Sequence, residues 1–228
     1  AGNDDYTVQT GATGSYNITS GAGIDAFTVQ SGVNADISIN GGDGLSTINA
    51  ASGITRFDSG SANDVVNLTA SSNWIITGSG DDTINATGQI GTSNSSSGIQ
   101  AGEGNDNINL SGGTGLNGQF AWAYGYVDVN GQGGSDNIAL GGNANYGRIL
   151  GEGGDDTIDA STAAYIQEIH GQDGNDTITG TSSDDNIWGG TGNDLITAGN
   201  GNNNVYSEDG DDTITSGTGN DNLYGGNG

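Results

Sequence analysis

Residues Gly171 to Tyr224 read GQDGNDTIT, GTSSDDNIW, GGTGNDLIT, AGNGNNNVY, SEDGDDTIT and SGTGNDNLY, six consecutive nine-residue units without a gap. Glycine is concentrated in the first four positions of the units. The sixth position is always Asp or Asn, and the eighth is always a branched apolar residue. Polar and apolar residues alternate around the eighth position, which predicts a short strand, and the glycine-rich positions predict a turn.

This unit resembles the G-G-x-G-x-D-x-U-x nonapeptide of the RTX (repeats-in-toxin) family, in which U is a large apolar residue. Six copies in register make the resemblance specific. It implies an all-β fold, a right-handed parallel β-helix or β-roll solenoid with calcium bound in its turns. It also implies secretion of an unfolded chain through a one-step (type I) export system, followed by folding in the millimolar calcium outside the cell.

The same register extends to the start of the chain, because two nonapeptides form one coil of about 18 residues. Eleven coils are predicted, spaced by 18 to 30 residues, so departures from 18 are insertions of whole loops. The sixth positions that open these coils are Asp4, Asp25, Ser46, Asp64, Asp82, Asp106, Asp136, Asp156, Asp176, Asp194 and Asp212. With strands ~4.8 Å apart, the rod would be roughly 50 Å long.

Each coil contributes two inward apolar residues, one from each half, which predicts two facing apolar columns. The residues of the second half are Ile18, Ile39, Phe57, Ile75, Ile99, Val129, Ile149, Ile169, Ile187, Val205 and Leu223. This core is thin, and burial alone is too weak to order a chain with 46 glycines. A further stabilising contribution is therefore expected.

Charge restricts the classes of partner. The chain has 28 acidic residues against two arginines, a net charge of −26. No basic patch can form, so nucleic acid is excluded as a partner, and an anionic membrane surface is disfavoured. No segment is apolar over enough residues to insert into a membrane. There is no Cys, so disulfides and thiolate metal sites are absent.

The stacked coils place ten Asp carboxylates in one line, interrupted only by Ser46. Neighbouring charges ~5 Å apart repel by roughly 3 kcal/mol at an effective dielectric constant near 20. Either the carboxylates bind protons or a hard cation lies between successive coils. Calcium, which takes six to eight oxygen ligands in irregular geometry, fits better than magnesium, zinc or copper.

We therefore expect roughly ten or more Ca²⁺ ions. The predicted metal-binding residues are the sixth-position residues and representative turn residues. They are Asp4, Asp25, Asp64, Asp82, Asp106, Asp136, Asp156, Asp176, Asp185, Asp194, Asp212, Asp221, Asn203, Gly78, Gly80, Gly102, Gly104, Gly190, Gly192 and Asn193. Glycines at positions one, two and four are expected to adopt positive φ.

The chain is predicted to be one solenoid domain, residues 1–228, whose two edges differ. In residues 1–170 only one edge carries the Asp row, with loop insertions near 87–97 and 111–125. In residues 171–228 both edges carry it. The sixth positions of the other edge before residue 171 are Tyr16, Ile37, Thr55, Asn73, Ser97, Val127, Gly147 and Gln167. Apolar packing and side-chain hydrogen bonds should hold this part of that edge.

Two features remain open at the level of sequence. The insertion at 111–125 contains Phe120, Trp122 and Tyr124, and it forms either a flap on the rod's own surface or a contact with a neighbouring subunit. The sequence begins inside one motif and stops within another. It is therefore expected to be either a fragment or a rod whose open coils continue into neighbours.

The leading functional hypothesis is a non-enzymatic, extracellular structural protein: a calcium-stiffened subunit of a bacterial surface layer or filament that assembles with itself and contacts cell-surface glycan. One alternative is an ice-binding or adhesin module, because Thr and Asn recur outward at pairs such as Thr83/Asn85 and Thr177/Thr179. The other is the noncatalytic module of a secreted enzyme. Neither HExxH nor GxSxG occurs, and the one histidine, His170, is expected to be a turn residue.

Overall fold

The structure, a computed structural model of the chain, describes residues 2–70, 72, 74–88, 97–111 and 127–228. Within these ranges the chain forms strands and turns and no helix. The strands are β1 Asp5–Val8, β2 Thr13–Thr19, β3 Ile24–Val29, β4 Asn34–Gly42, β5 Leu45–Ala50, β6 Arg56–Ser59, β7 Val65–Leu68, β8 Trp74–Ser79, β9 Thr83–Ala86, β10 Ser97–Glu103, β11 Asn107–Leu110, β12 Val127–Gly133, β13 Asn137–Gly153, β14 Thr157–Asp173, β15 Thr177–Thr179, β16 Asn186–Thr191, β17 Leu195–Gly199, β18 Asn204–Asp209, β19 Thr213–Ser216 and β20 Asn222–Tyr224.

The strands stack in two parallel columns, and every strand pairs with the equivalent strand of the next coil. The first column contains β1, β3, β5, β7, β9, β11, the first parts of β13 and β14, β15, β17 and β19. The second contains β2, β4, β6, β8, β10, β12, the last parts of β13 and β14, β16, β18 and β20. The parallel solenoid expected from the sequence is therefore confirmed.

The register agrees with the one predicted from the nonapeptide. Asp25 pairs with Ser46, and the next residues, Thr47 and Val65, pair in turn. In the second column Ile149 pairs with Ile169, and Ile187 with Val205. Loop insertions change the length of a coil without shifting these pairings, because each strand is aligned by backbone hydrogen bonds to its neighbour.

Two facing rows of branched side chains form the core, as predicted. The fully buried members of the first column are Phe27, Ile48, Val66, Ile84, Ile108, Ile138, Ile158, Ile178 and Ile196. Those of the second are Ile39, Phe57, Ile75, Ile99, Val129, Ile149, Ile169, Ile187 and Val205. A third row of small or medium residues, such as Ala50, Leu68 and Leu140, lies beside the first.

We call the turns that lead from the second column into the first column the first edge, and the turns that lead from the first into the second the second edge. Before residue 171 the second edge is held by apolar residues and hydroxyls, as expected. Ile54, Tyr146 and Ile166 are buried there. The Ser52 hydroxyl donates to the Gln30 carbonyl at 2.7 Å and accepts the Val33 N–H at 3.1 Å.

From residue 77 onward, the described first-edge turns have positive φ at positions two and four but not at position one, which corrects the expectation for position one. Gly78, Gly102 and Gly190 at position two, and Gly80, Gly104 and Gly192 at position four, have φ between +97° and +134°. Four turns have Gln132, Glu152, Gln172 or Glu208 at position two with φ of 75° to 81°. Backbone conformation therefore does not explain why glycine occurs at position one.

Gly154, at position four, allows a direct test of the turn. It has φ +122°, and a Cβ there would lie 2.0 Å from the Gly134 carbonyl oxygen of the preceding coil. Gly153 has no such φ, and a Cβ there would meet nothing closer than 3.8 Å. We expect Gly154→Ala to destabilise the protein by about 1–3 kcal/mol or more, and Gly153→Ala to be nearly neutral. Urea unfolding in saturating calcium measures both, and equal midpoints would contradict the assignment.

The insertion at 111–125 lies outside the described residues except for Ser111, and the insertion near 87–97 lies outside them from residue 89 to residue 96. The two alternatives for Phe120, Trp122 and Tyr124 therefore remain as the sequence leaves them.

Candidate metal centre

The sixth-position carboxylates of the first edge form a row along the rod that is interrupted only at Ser46. In each coil, the Asp backbone N–H donates to Oδ1 of the Asp in the next coil, at 2.7 to 2.9 Å. The Ser46 N–H donates to Asp64 in the same way. These bonds link Asp4 to Asp25, and they link Asp64, Asp82, Asp106, Asp136, Asp156, Asp176, Asp194 and Asp212 in sequence. Between the two groups Asp25 pairs in register with Ser46, the interruption that the sequence predicted. Asp4 is exposed, Asp212 is half-buried, and the others are buried.

The second carboxylate oxygen of these residues has no hydrogen-bond partner. Oδ2 is buried and unpartnered in Asp25, Asp64, Asp82, Asp106, Asp136, Asp156, Asp176, Asp194 and Asp212. A buried, unpaired anionic oxygen is costly, and buried polar atoms normally have partners. Nine such atoms in one row therefore indicate a positively charged partner that is not part of the polypeptide, or protonation.

Electrostatics in the metal-free chain agree with this requirement. Burial raises the pKa of Asp106 and Asp156 to about 7, and that of Asp82 and Asp176 to about 6. Hydrogen bonds from backbone N–H groups oppose the increase, and neighbouring carboxylates add to it. Burial likewise raises the pKa of Asp64, Asp136 and Asp194. A cation beside Oδ2 would favour the ionised carboxylates and so oppose these increases in pKa.

Glycine at position one keeps open a space between two oxygen atoms. A Cβ at Gly151 would lie 2.1 Å from Asp156 Oδ2 and 2.9 Å from the Gly171 carbonyl oxygen of the next coil. The same space recurs at Gly131, Gly171 and Gly189, with 2.0 to 2.3 Å to the carboxylate oxygen and 2.6 to 3.1 Å to the carbonyl oxygen. Calcium binds oxygen at about 2.3–2.6 Å, so a point in this space suits it closely.

The donor set also fits calcium. No group of three or more His, Cys, Asp or Glu side chains converges on one point within the described residues. Each first-edge turn except the one that ends at Ser46 instead offers one inner carboxylate, and the other ligands would be backbone carbonyls of adjacent coils. An oxygen-only set that combines carboxylates and carbonyls suits calcium and not the softer metals.

Four first-edge turns carry a hydroxyl at position one, and that of Ser207 has no hydrogen-bond partner. The Ser20, Ser59 and Thr77 hydroxyls donate to the position-one carbonyls of the next coils at 2.6, 2.6 and 2.9 Å. Each hydroxyl has one proton, so the neighbouring Asp Oδ2 still lacks a donor. Sequence reasoning missed this row, although a hydroxyl residue recurs five positions before the Asp of Asp-x-apolar and was a visible signal.

A second row of side chains runs outside the carboxylates. At position five, the side chains of Asn105, Ser135, Asp155 and Asn175 each accept the backbone N–H of the equivalent residue in the next coil, at 2.7 to 3.3 Å. Asn193 belongs to this row: it is exposed, and its Oδ1 accepts the Asp211 N–H at 2.8 Å. The Asn193 side chain is therefore directed away from the inner carboxylates, and only its backbone carbonyl remains available to the predicted role.

On the second edge, Asp185 and Asn203 are buried and Asp221 is half-buried. They stack in the predicted register, with the Asp185 N–H on Asn203 Oδ1 and the Asn203 N–H on Asp221 Oδ1, both at 3.0 Å. The remaining side-chain atoms of Asp185 and Asn203 have hydrogen-bond partners within their own turns, unlike Oδ2 of the first-edge carboxylates.

A stack of aromatic rings follows the outer face of the second column. The ring centroids of His170 and Trp188 are 4.5 Å apart, those of Trp188 and Tyr206 5.5 Å, and those of Tyr206 and Tyr224 4.7 Å. His170 lies in strand β14 and not in a turn, which corrects the expectation from sequence. The ninth-position aromatics recur every 18 residues, and this spacing could have predicted the stack.

Comparison with known proteins supports the repeat independently. The family model described as RTX calcium-binding nonapeptide repeat matches in four copies, at residues 58–92, 148–162, 170–205 and 197–228. No curated protein and no solved structure gives a significant match. No helix capable of spanning a bilayer occurs in the part of the chain that the structure describes.

RTX nonapeptide repeats bind calcium, and proteins that carry them are typically secreted. The matched ranges include the carboxylates with unpartnered Oδ2 from Asp64 to Asp82 and from Asp156 to Asp212. Pattern, fold and donor chemistry agree, and this chain is a β-roll solenoid of the RTX calcium-binding nonapeptide-repeat family.

Proposed function

We propose that this chain is a rod-like structural subunit of a bacterial surface layer or filament, stiffened and assembled by roughly ten or more Ca²⁺ ions. The observation that carries the proposal is the single row of nine buried, unpartnered Oδ2 atoms along the first edge. A cation between successive coils would join each coil to the next and neutralise the repulsion along the row.

The architecture suits a load-bearing role. In a solenoid each coil contacts only its neighbours, so stiffness depends on the links between coils. Backbone pairing provides one set of links, and calcium bridging would provide another in parallel. The apolar core consists of only two facing rows of side chains and a smaller third row. Because this core is thin, bound metal would contribute a large part of the stability.

The proposed extracellular location follows from the dependence of folding on calcium. Folding that requires calcium would be suppressed where calcium is scarce and promoted in the millimolar calcium outside a cell. We place the folded rod at the bacterial cell surface, after export in the unfolded form. Its partners in this proposal are other copies of the chain and cell-surface glycan, with no role for nucleic acid or membrane insertion, and the rod itself has no catalytic role.

Sedimentation and electron microscopy of the purified chain, with millimolar calcium and with a chelator, test the proposal. Elongated particles that associate in calcium and separate in chelator are expected. Rods that stay single at millimolar calcium would contradict the assembly role, whereas calcium binding would stand. Magnesium at the same concentration serves as the control for ionic strength and is expected to cause no association.

One further candidate has a specific observation in its favour. Thr179, Thr197 and Thr215 are paired in register on the first column, and the latter two are exposed. Such a row suits ordered water on ice, although the exposed Leu195 interrupts the parallel row beside it. Thermal hysteresis of the calcium-bound protein tests this candidate, and freezing at the equilibrium melting point would exclude it.

A further inference from the structure

The second-edge turn from Gly180 to Asp185 differs from the first-edge turns in how its carboxylate is bonded. Asp185 Oδ2 accepts the backbone N–H of Thr181 at 2.8 Å, and Oδ1 accepts the Thr181 hydroxyl at 2.8 Å. Both oxygens therefore have a donor from their own turn. In Asp156, by contrast, Oδ1 accepts the Asp136 N–H of the preceding coil and Oδ2 accepts nothing.

The hydroxyls of Thr181 and Ser183 in this turn are also bonded to protein atoms. The Thr181 hydroxyl accepts the Ser183 N–H at 3.0 Å while it donates to Asp185. The Ser183 hydroxyl donates to the Ala164 carbonyl of the preceding coil at 3.1 Å. Thr181 and Ser183 occupy positions two and four of their nonapeptide. Most first-edge turns have glycine at one or both of these positions.

The next second-edge turn has an amide in place of the carboxylate. Asn203 is fully buried, and its Nδ2 donates to the Gly199 carbonyl at 3.3 Å. An amide nitrogen cannot bind a cation, and here it occupies a carbonyl of its own turn. Among the described residues, no buried side-chain oxygen of the second edge lacks a hydrogen-bond partner.

We propose that Thr181 and Asn203 take the place of calcium on the second edge, so that hydrogen bonds hold this edge and the metal ions are confined to the first edge. This inference rests on the proposed calcium binding of the first edge. It replaces the two calcium rows expected from the nonapeptides with one. The matching sixth-position Asp or Asn on both edges thus serves two purposes: cation binding on one side and closure of the turn on the other.

A matched pair of variants tests the inference. Asp156→Asn and Asp185→Asn each remove one buried carboxylate charge at the same position of the repeat. Bound calcium is counted by equilibrium dialysis at saturating calcium and pH 7.5, and circular dichroism confirms that each variant is folded. We expect D156N to bind fewer ions than the unaltered chain, and D185N to bind the same number. A loss of ions in D185N equal to that in D156N would overturn the inference.

A gain-of-site variant keeps the inference testable if D185N does not fold. Asn203→Asp restores a carboxylate and removes the amide donor to Gly199, so it should bind more calcium than the unaltered chain. An unchanged count in N203D would show that the amide is not what excludes the ion, and would also overturn the inference. An unaltered chain that bound no calcium would instead refute the proposed function.

Discussion

In chelator at pH 8, the chain is expected to lose most of its β-sheet signal in circular dichroism and to expand, and millimolar calcium should restore both. The nine unpartnered Oδ2 atoms would then face one another as uncompensated charges, each neighbouring pair ~5 Å apart costing roughly 3 kcal/mol. The net charge of −26 adds a general repulsion.

The size of the effect follows from linkage. Each site stabilises the folded chain by about 2.7 kcal/mol when free calcium is at 100 times its dissociation constant. Several such sites together exceed the 5–15 kcal/mol by which typical domains are stable. Calcium titration followed by circular dichroism and light scattering measures this, with magnesium as the control. A chain that stays compact and β-rich in chelator at pH 8 would contradict the expectation.

Acid is expected to replace calcium in part. In the metal-free fold, burial raises the pKa of Asp106 and Asp156 from 3.8 to about 7, and that of Asp82 and Asp176 to about 6. Because the folded state binds these protons more tightly than the unfolded state, its stability is greatest below the unfolded pKa and falls as pH rises through 6 to 7. The calcium-free chain should therefore gain β structure as pH is lowered from 8 to 5.

Two adjacent residues provide an internal control for this result. The pKa of the exposed Asp155 is lowered, because the backbone and side chain of Asn175 donate to its carboxylate, whereas that of the buried Asp156 is raised. Carbon-detected NMR of the side-chain carboxyls in chelator at acid to neutral pH should show the two titrating in opposite directions from the usual value. Equal pKa values, or less β structure at pH 5 than at pH 8, would contradict the assignment of burial as the cause. Protons and calcium should also compete for the same carboxylates, so the affinity for calcium is expected to fall as the pH is lowered from 8 to 5.

The fold was largely predictable because the repeat is local and additive. Residues at the eighth position recur every 18 residues in the regular coils. Parallel pairing of the strands therefore stacks each of them on the equivalent residue of the previous coil. The sequence therefore predicted the rows through Ile84 and Ile149, and it located the insertions, since only extra loop residues separate one anchor from the next. The carboxylate row from Asp4 to Asp212 followed from the same register.

The roles of individual oxygen atoms were not predictable in this way. Asp156 and Asp185 both occupy the sixth position of a nonapeptide, and each follows another Asp. Oδ2 of Asp156 nevertheless has no hydrogen-bond partner, whereas both carboxylate oxygens of Asp185 accept hydrogen bonds from Thr181. The difference depends on which donors lie within about 3 Å, and these come from the turn conformation and from adjacent coils together.

The amino-acid sequence by itself determined the solenoid, its register, its two apolar columns and a calcium-type row of carboxylates, because each of these depends only on residue spacing. The tertiary structure alone decided why glycine occupies position one and that the two edges bond their carboxylates differently. The physical reason is that hydrogen-bond partners and open space are properties of atoms brought together from separate coils, and the spacing of residues along the chain does not specify them.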